Sequence, residues 1–114
     1  MREASRDKGR LSDIVEYAKH VEHFIDGFTF EEFRTDTRTY FAVMKSIEVI
    51  GEAAYMLTKE FKEEHSELPW PQIVAMRHIL VHGYAQVRIE DLWETAINDI
   101  VPLRIQVEKY LDEI

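Results

Sequence analysis

YFAVMKSIEVIGEAAYMLTKEF, residues 40–61, is the stretch that decides the fold. Its apolar positions Tyr40, Met44, Ile47, Ile50, Ala54, Leu57 and Phe61 recur every three or four residues. That is the spacing of one buried face of a helix about six turns long. Asp36 or Thr37 is placed to cap its start. Gly51 sits in the middle beside Ala53 and Ala54. A mid-helix glycine costs about 1 kcal/mol relative to alanine, so it implies close approach of another helix. Lys59 to Glu67 reads as the solvated, charged end of this helix.

The flanking sequence repeats the same period. Leu11, Ile14, Ala18, Val21 and Ile25 mark a first helix from Arg10, with Gly27 as its stop. Thr29 and Glu32 form a capping-box pattern that opens a short helix through Arg34. Phe28 and Phe30 are placed to staple that corner to the core. Leu68-Pro69-Trp70-Pro71 leads rigidly into a fourth helix, with proline tolerated in the first turn. Ile73, Val74, Met76, Leu80 and Val81 put apolar groups on several sides of it, so it is expected to be central, with Gly83 as its stop. Leu92, Trp93, Ala96, Ile97, Ile100, Leu103, Val107, Tyr110 and Leu111 mark a last helix from about Glu90 to Ile114, which Pro102 should kink. No strand-like alternation, repeat or linker interrupts this. The expected architecture is all-α: an antiparallel bundle of four main helices plus one short helix, dimeric, with residues 1–9 a flexible lead-in and 10–114 one domain.

Composition narrows the function. The chain has 114 residues, 46% of them hydrophobic, and no cysteine, which excludes a disulfide framework and a cysteine-based metal site. No apolar run is long enough to span a membrane, and the charged start does not read as a signal peptide, so a cytoplasmic protein without membrane association is expected. Acidic residues outnumber basic ones 22 to 14, for a net charge of −8. Such a surface argues against a non-specific nucleic-acid coat and keeps the domain soluble. The window from Leu68 to Ile89 is the exception: it holds no Asp or Glu, and it carries Arg77, His78, His82, Tyr84 and Arg88.

That window offers several chemistries. His78 and His82 are spaced as a helical metal pair. A third ligand would have to come from His20, His23, His65 or a carboxylate, and no glutamate stands beside the first histidine as in a metalloprotease. An arginine with a histidine suits cleavage of RNA without a metal or cofactor. The substrate's own 2′-hydroxyl is the nucleophile, histidine takes its proton, and a fixed guanidinium stabilises charge at phosphorus. A general acid must then protonate the leaving 5′-oxygen, giving a 2′,3′-cyclic phosphate and a 5′-hydroxyl. In an ideal helix Arg77 and His82 point about 140° apart. Unwinding at Gly83, or a two-fold dimer with motifs facing each other, would reunite them. The dimer is the favoured arrangement, one His82 serving as base and the other as acid. The plainer alternative stays open: an arginine and a histidine near a helix C-terminus commonly just compensate the dipole. Glu48 and Glu52 are candidates to orient Arg77 by a salt bridge. Trp70 and Trp93 offer stacking planes for bases, although the spacing of Trp93 beside Leu92 and Ala96 favours core. His20 and His23 read as surface, and Arg88 as a surface or phosphate-contacting residue.

At these residues the chain resembles the HEPN superfamily, and within it the HepT-like toxins. Their mark is Arg-x4-His-x-Tyr, matched by Arg77, His82 and Tyr84, with a polar residue after the arginine, here His78. The phrases Ile50-Gly51-Glu52-Ala53-Ala54, Pro69-Trp70 and Leu92-Trp93-Glu94-Thr95 accompany it in order. The resemblance implies an all-α homodimer with the motif in the cleft between subunits. It also implies a metal-independent ribonuclease, the toxin of a type VII-like toxin–antitoxin module. Its partner would be an MntA-like minimal nucleotidyltransferase antitoxin, which would join it in a higher complex and transfer AMP from ATP to the motif tyrosine, Tyr84 here. Arg77 and His82 would be catalytic, with His78 and Tyr84 supporting the motif. A different class of function also fits: a non-catalytic nucleotide- or substrate-binding subunit of a two-component nucleotidyltransferase.

Overall fold

The computed structural model describes residues 2–83 and 87–114, with side chains from Arg6 onward. Among these residues the secondary structure is entirely helical. The elements are α1 (Arg2–Ile25), α2 (Phe30–Thr35), α3 (Thr37–Met56), α4 (Lys59–Glu64), α5 (Trp70–His82), α6 (Ile89–Glu94), a π-helical turn (Thr95–Asp99) and α7 (Ile100–Glu113). The last three run on from one another, so four main helices are present with two short ones, α2 and α4, one more than the sequence suggests.

Local chemistry sets these boundaries. Gly27 adopts φ +79°, the left-handed turn that closes α1. The Thr29 hydroxyl accepts from the Glu32 amide while the Glu32 carboxylate accepts from the Thr29 amide, a complete capping box for α2. Asp36 caps α3 through the Thr39 amide. The long third helix ends five residues before Phe61, and the reason is Thr58. Its hydroxyl caps α4 through the Phe61 amide, and its own amide and hydroxyl both donate to the buried carboxylate of Asp7. The helical path of α1 accordingly begins at Arg2, ahead of the apolar stripe that starts at Leu11.

The Asp7–Thr58 tie also sets direction, since the start of α1 meets the end of α3. Lys19 and Glu22 of α1 pair with Glu108 and Arg104 of α7, so that pair is antiparallel too. Helix α3 is an inner helix, as is α1, which lies between α3 and α7. Helix α3 packs on α1 along one side and on α5 along the other, and it buries Val43, Ile47, Ile50, Ala53 and Ala54. Helix α5, expected to be central, is a flanking helix. Only Trp70 and Leu80 are fully buried in it, and Pro71, Gln72, Ala75, His78, Ile79 and His82 are exposed. The two sheltered faces needed for a central helix are already supplied by α3, which is richer in small residues.

Pro102 has the expected local effect. It lacks an amide proton and its ring crowds the carbonyl four residues back, and the π-helical turn immediately precedes it. Beside that turn a cavity of about 350 Å³ opens between α3, α5 and α7, lined mainly by apolar side chains such as Ile47, Ile73, Met76 and Leu103. At the far end of the bundle Tyr110 is buried against Phe61 and His65, and its hydroxyl donates to Glu67 at 2.7 Å. Burial first, then that hydrogen bond, pushes the phenol well up. The same bond holds the Glu67 carboxyl below its ordinary range. Among the described residues no helix is long and apolar enough to cross a membrane.

Candidate functional site

The site begins with the glycine of α3. A Cβ added to Gly51 would overlap Cβ of Arg77, and it would lie 3.1 Å from Arg77 Cα and 3.2 Å from its amide nitrogen. Only glycine lets the backbone of α5 come this close, which is the close approach that its mid-helix position implied. The contact seats Arg77 on the inner face of α5. Its side chain then runs along α3, where Nε lies 2.6 Å from Glu52 Oε2. The approach is too far off line to count as a hydrogen bond, and Oε2 is buried with no hydrogen-bond partner. The guanidinium carbon sits 5.7 Å from the centre of the Tyr55 ring, within cation–π range. Glu52 and Tyr55, three residues apart on α3, thus hold Arg77 from one side. Glu48, the other candidate for this role, pairs with Lys45 at 2.8 Å instead.

His78 and His82 lie on the opposite side of α5. Both are exposed, and their ring centroids are 4.8 Å apart at an interplanar angle of 50°. Helix α5 stays regular to His82, and the Gly83 amide donates to the Ile79 carbonyl at 2.8 Å with φ −122° at Gly83. The last turn before His82 is therefore wound, not opened. The divergence of about 140° between Arg77 and His82 stands within one chain. Tyr84 lies outside the described residues.

The remaining candidates separate cleanly. Trp70 is buried and donates its indole N–H to the His65 carbonyl, so it is core. Trp93 packs on Phe33 and Phe30, the corner that the sequence pointed to. His65 stacks on Phe61 and contacts that residue's carbonyl through Nδ1 at 2.8 Å, and it braces the α4–α5 corner. His20 and His23 are on the exposed side of α1. Among the described residues no three His, Cys, Asp or Glu side chains gather as a metal set. Arg88 is exposed, 3.6 Å from Glu90. Tyr55 is the residue that sequence reasoning missed. The available signal was its spacing from Gly51 and Glu52, which puts it on the edge of the face that meets α5.

Known proteins are similar to this chain over most of its length. A family profile described as ribonuclease HepT-like matches residues 14–110. The chain belongs to the ribonuclease HepT-like family. A relative from Thermococcus cleftensis, named a probable ribonuclease HepT, is 39% identical over 102 residues, covering 90% of this chain and 93% of the relative. A second, from Caldanaerobacter subterraneus and named as a candidate RNase, is 37% identical over 103 residues, covering 90% and 92%. A third, from Methanocaldococcus jannaschii and also named as a candidate RNase, is 34% identical over 104 residues, covering 91% and 86%. No solved structure matches the chain significantly. Family membership makes this helical bundle a HepT-like, HEPN-type ribonuclease fold.

Proposed function

We propose that the chain is a metal-independent endoribonuclease, the toxin of a type VII-like toxin–antitoxin module, acting through Arg77 and His82. The observation that carries this reading is the placement of Arg77. A guanidinium gripped from behind by Glu52 and Tyr55 is oriented before substrate arrives, which is what stabilising a developing phosphorane charge requires. His82, exposed near the end of α5, takes the proton of the RNA 2′-hydroxyl as that oxygen attacks phosphorus. Because Arg77 faces α3 and His82 faces outward, a two-fold dimer serves to set the arginine of one copy against the histidine of the other. The exposed Ile79 beside the two histidines is the apolar contact such a pairing would cover.

The off-switch belongs to Tyr84. An MntA-like minimal nucleotidyltransferase would join the tyrosine oxygen to the α-phosphorus of ATP, releasing pyrophosphate. The added AMP brings bulk and negative charge to the place where RNA phosphate must sit. The antitoxin, in a complex with the dimer, is the expected partner in the cytoplasm.

Expression of Arg77→Ala and His82→Ala in cells tests the core of this. Both variants are expected to lose growth inhibition and RNA cleavage while keeping the helical circular-dichroism signal of the parent. Toxicity equal to the parent in either variant would remove that residue from the mechanism. Tight ATP or GTP binding with no RNA cleavage under any condition would instead favour a nucleotide-binding subunit. Intact mass after incubation with the transferase and ATP tests Tyr84, since the gain must vanish in Tyr84→Phe.

A further inference from the structure

RNA cleavage by the 2′-hydroxyl moves two protons, and the proposed function places only the first, on His82; the sequence alone suggested the partner copy's His82 for the second. Arginine does not give up its proton at working pH. We propose that His78 is the general acid, protonating the leaving 5′-oxygen, while His82 of the same protomer acts as base. The assignment rests on the ribonuclease reading of this site.

Three observations support it. The two imidazoles share the outward face of α5, with ring centroids 4.8 Å apart, and both are exposed. Four residues of helix separate their Cα atoms by about 6 Å along the axis. In-line displacement places the attacking and leaving oxygens on opposite sides of phosphorus, and a scissile bond lying along α5 would present one oxygen to each ring. Finally, among the described residues neither ring makes a hydrogen bond or an ion pair, so the nitrogens of both are available to substrate. His65 and His20 differ. His65 is occupied by the Phe61 carbonyl, and His20 by Glu16 and by the rings of Tyr17 and Phe24.

The step balances within the singly protonated pair. Neutral His82 takes the 2′-hydroxyl proton as the 2′-oxygen–phosphorus bond forms. The electron pair of the phosphorus–5′-oxygen bond departs with the 5′-oxygen, which takes the proton of the His78 imidazolium. A 2′,3′-cyclic phosphate and a 5′-hydroxyl result. The pair ends with its proton on His82, and exchange with water resets it.

The leaving group provides the test. An RNA oligonucleotide whose cleavage position has been mapped is compared with the same RNA carrying a bridging 5′-sulfur there, because a thiolate leaves without being protonated. His78→Asn is expected to lose roughly 10²–10⁴-fold on the natural RNA, the range for a general acid, and to cleave the 5′-sulfur RNA near the parental rate. His82→Asn should lose both. Equal loss of His78→Asn on the two RNAs, or no loss on either, overturns the assignment. If Arg77→Ala is inactive while His78→Asn is unimpaired, His78 alone falls and the ribonuclease reading survives. If the parent cleaves neither RNA, both fall together.

Discussion

Two arginines of this molecule each meet a glutamate across a helix interface, and they are treated in opposite ways. Arg104 on α7 donates through Nε and Nη2 to the two carboxylate oxygens of Glu22 and through Nη1 to Glu108. The paired fork on Glu22 favours the charged guanidinium further. Arg77 on α5 meets Glu52 at Nε, off line, and no hydrogen bond from its η nitrogens forms among the described residues. One guanidinium commits all three of its nitrogens to carboxylates of its own chain. The other is gripped at its base, with its fork still open. The contrast separates an arginine whose nitrogens are all committed to carboxylates from one whose η nitrogens make no hydrogen bond among the described residues, as the proposed role at phosphate requires.

Lysine substitution breaks the comparison most sharply. A lysine keeps the charge but not the planar fork. Arg77→Lys cannot both reach Glu52 and present two donors to phosphate, so cleavage should fall by about 10²-fold or more. Arg104→Lys should leave cleavage unchanged and lower unfolding stability by about 1 kcal/mol, as expected for a partly exposed pair. Rates on one RNA and denaturant midpoints for the two variants suffice. Equal effects on activity would show that the open fork of Arg77 has no special use.

Gly51→Ala moves Arg77 without altering it. Alanine gains about 1 kcal/mol of helix propensity, but its methyl meets the Arg77 backbone, which cannot swing away as a side-chain tip would. Overpacking of this kind costs about 1–3 kcal/mol, so a net loss of stability is expected as α5 backs off α3. A shift near 1 Å at the guanidinium costs up to about 10²-fold in rate. The measurement is cleavage under conditions where the variant remains folded by circular dichroism. Full activity would mean that the tight α3–α5 approach serves packing alone.

Much of this was legible in the residues. The three- and four-residue stripes, the Thr29 capping box, the Asp36 cap and the meaning of Gly51 all follow from local chemistry, which the folded chain preserves. What sequence could not supply was which helix lies inside. Ile73, Val74, Met76 and Val81 make α5 look central, yet α3, with Ser46, Gly51, Ala53 and Ala54 buried, accepts neighbours more closely and takes that place. The early end of α3 was hidden for a similar reason, because Thr58 is stopped by Asp7, 51 positions away. At the candidate site, spacing and resemblance pointed to Arg77 and His82. The Tyr55 ring beside Arg77 depends on how α3 and α5 are rotated against each other, which no single-helix pattern contains.

The smallest expected effect carries the finest distinction, between Glu52 as a support for Arg77 and Glu52 as a competitor of phosphate. Both roles place a carboxylate against the guanidinium, so the contact itself does not separate them. They differ in the sign of a substitution. Glu52→Gln keeps the shape and removes the charge. If the carboxylate fixes the orientation of Arg77, kcat should fall roughly tenfold, since positioning is lost, while KM changes little because the cation is still present. Glu52→Asp should recover part of the rate. If the carboxylate instead occupies the place of the substrate, the Gln variant should bind RNA more tightly and cleave at least as fast as the parent. Glu22→Gln is the matched control, expected to alter stability and neither kinetic constant. Support is the role that agrees with the buried Oε2, because an oxygen enclosed between α3 and α5 is poorly placed to be displaced by an incoming strand.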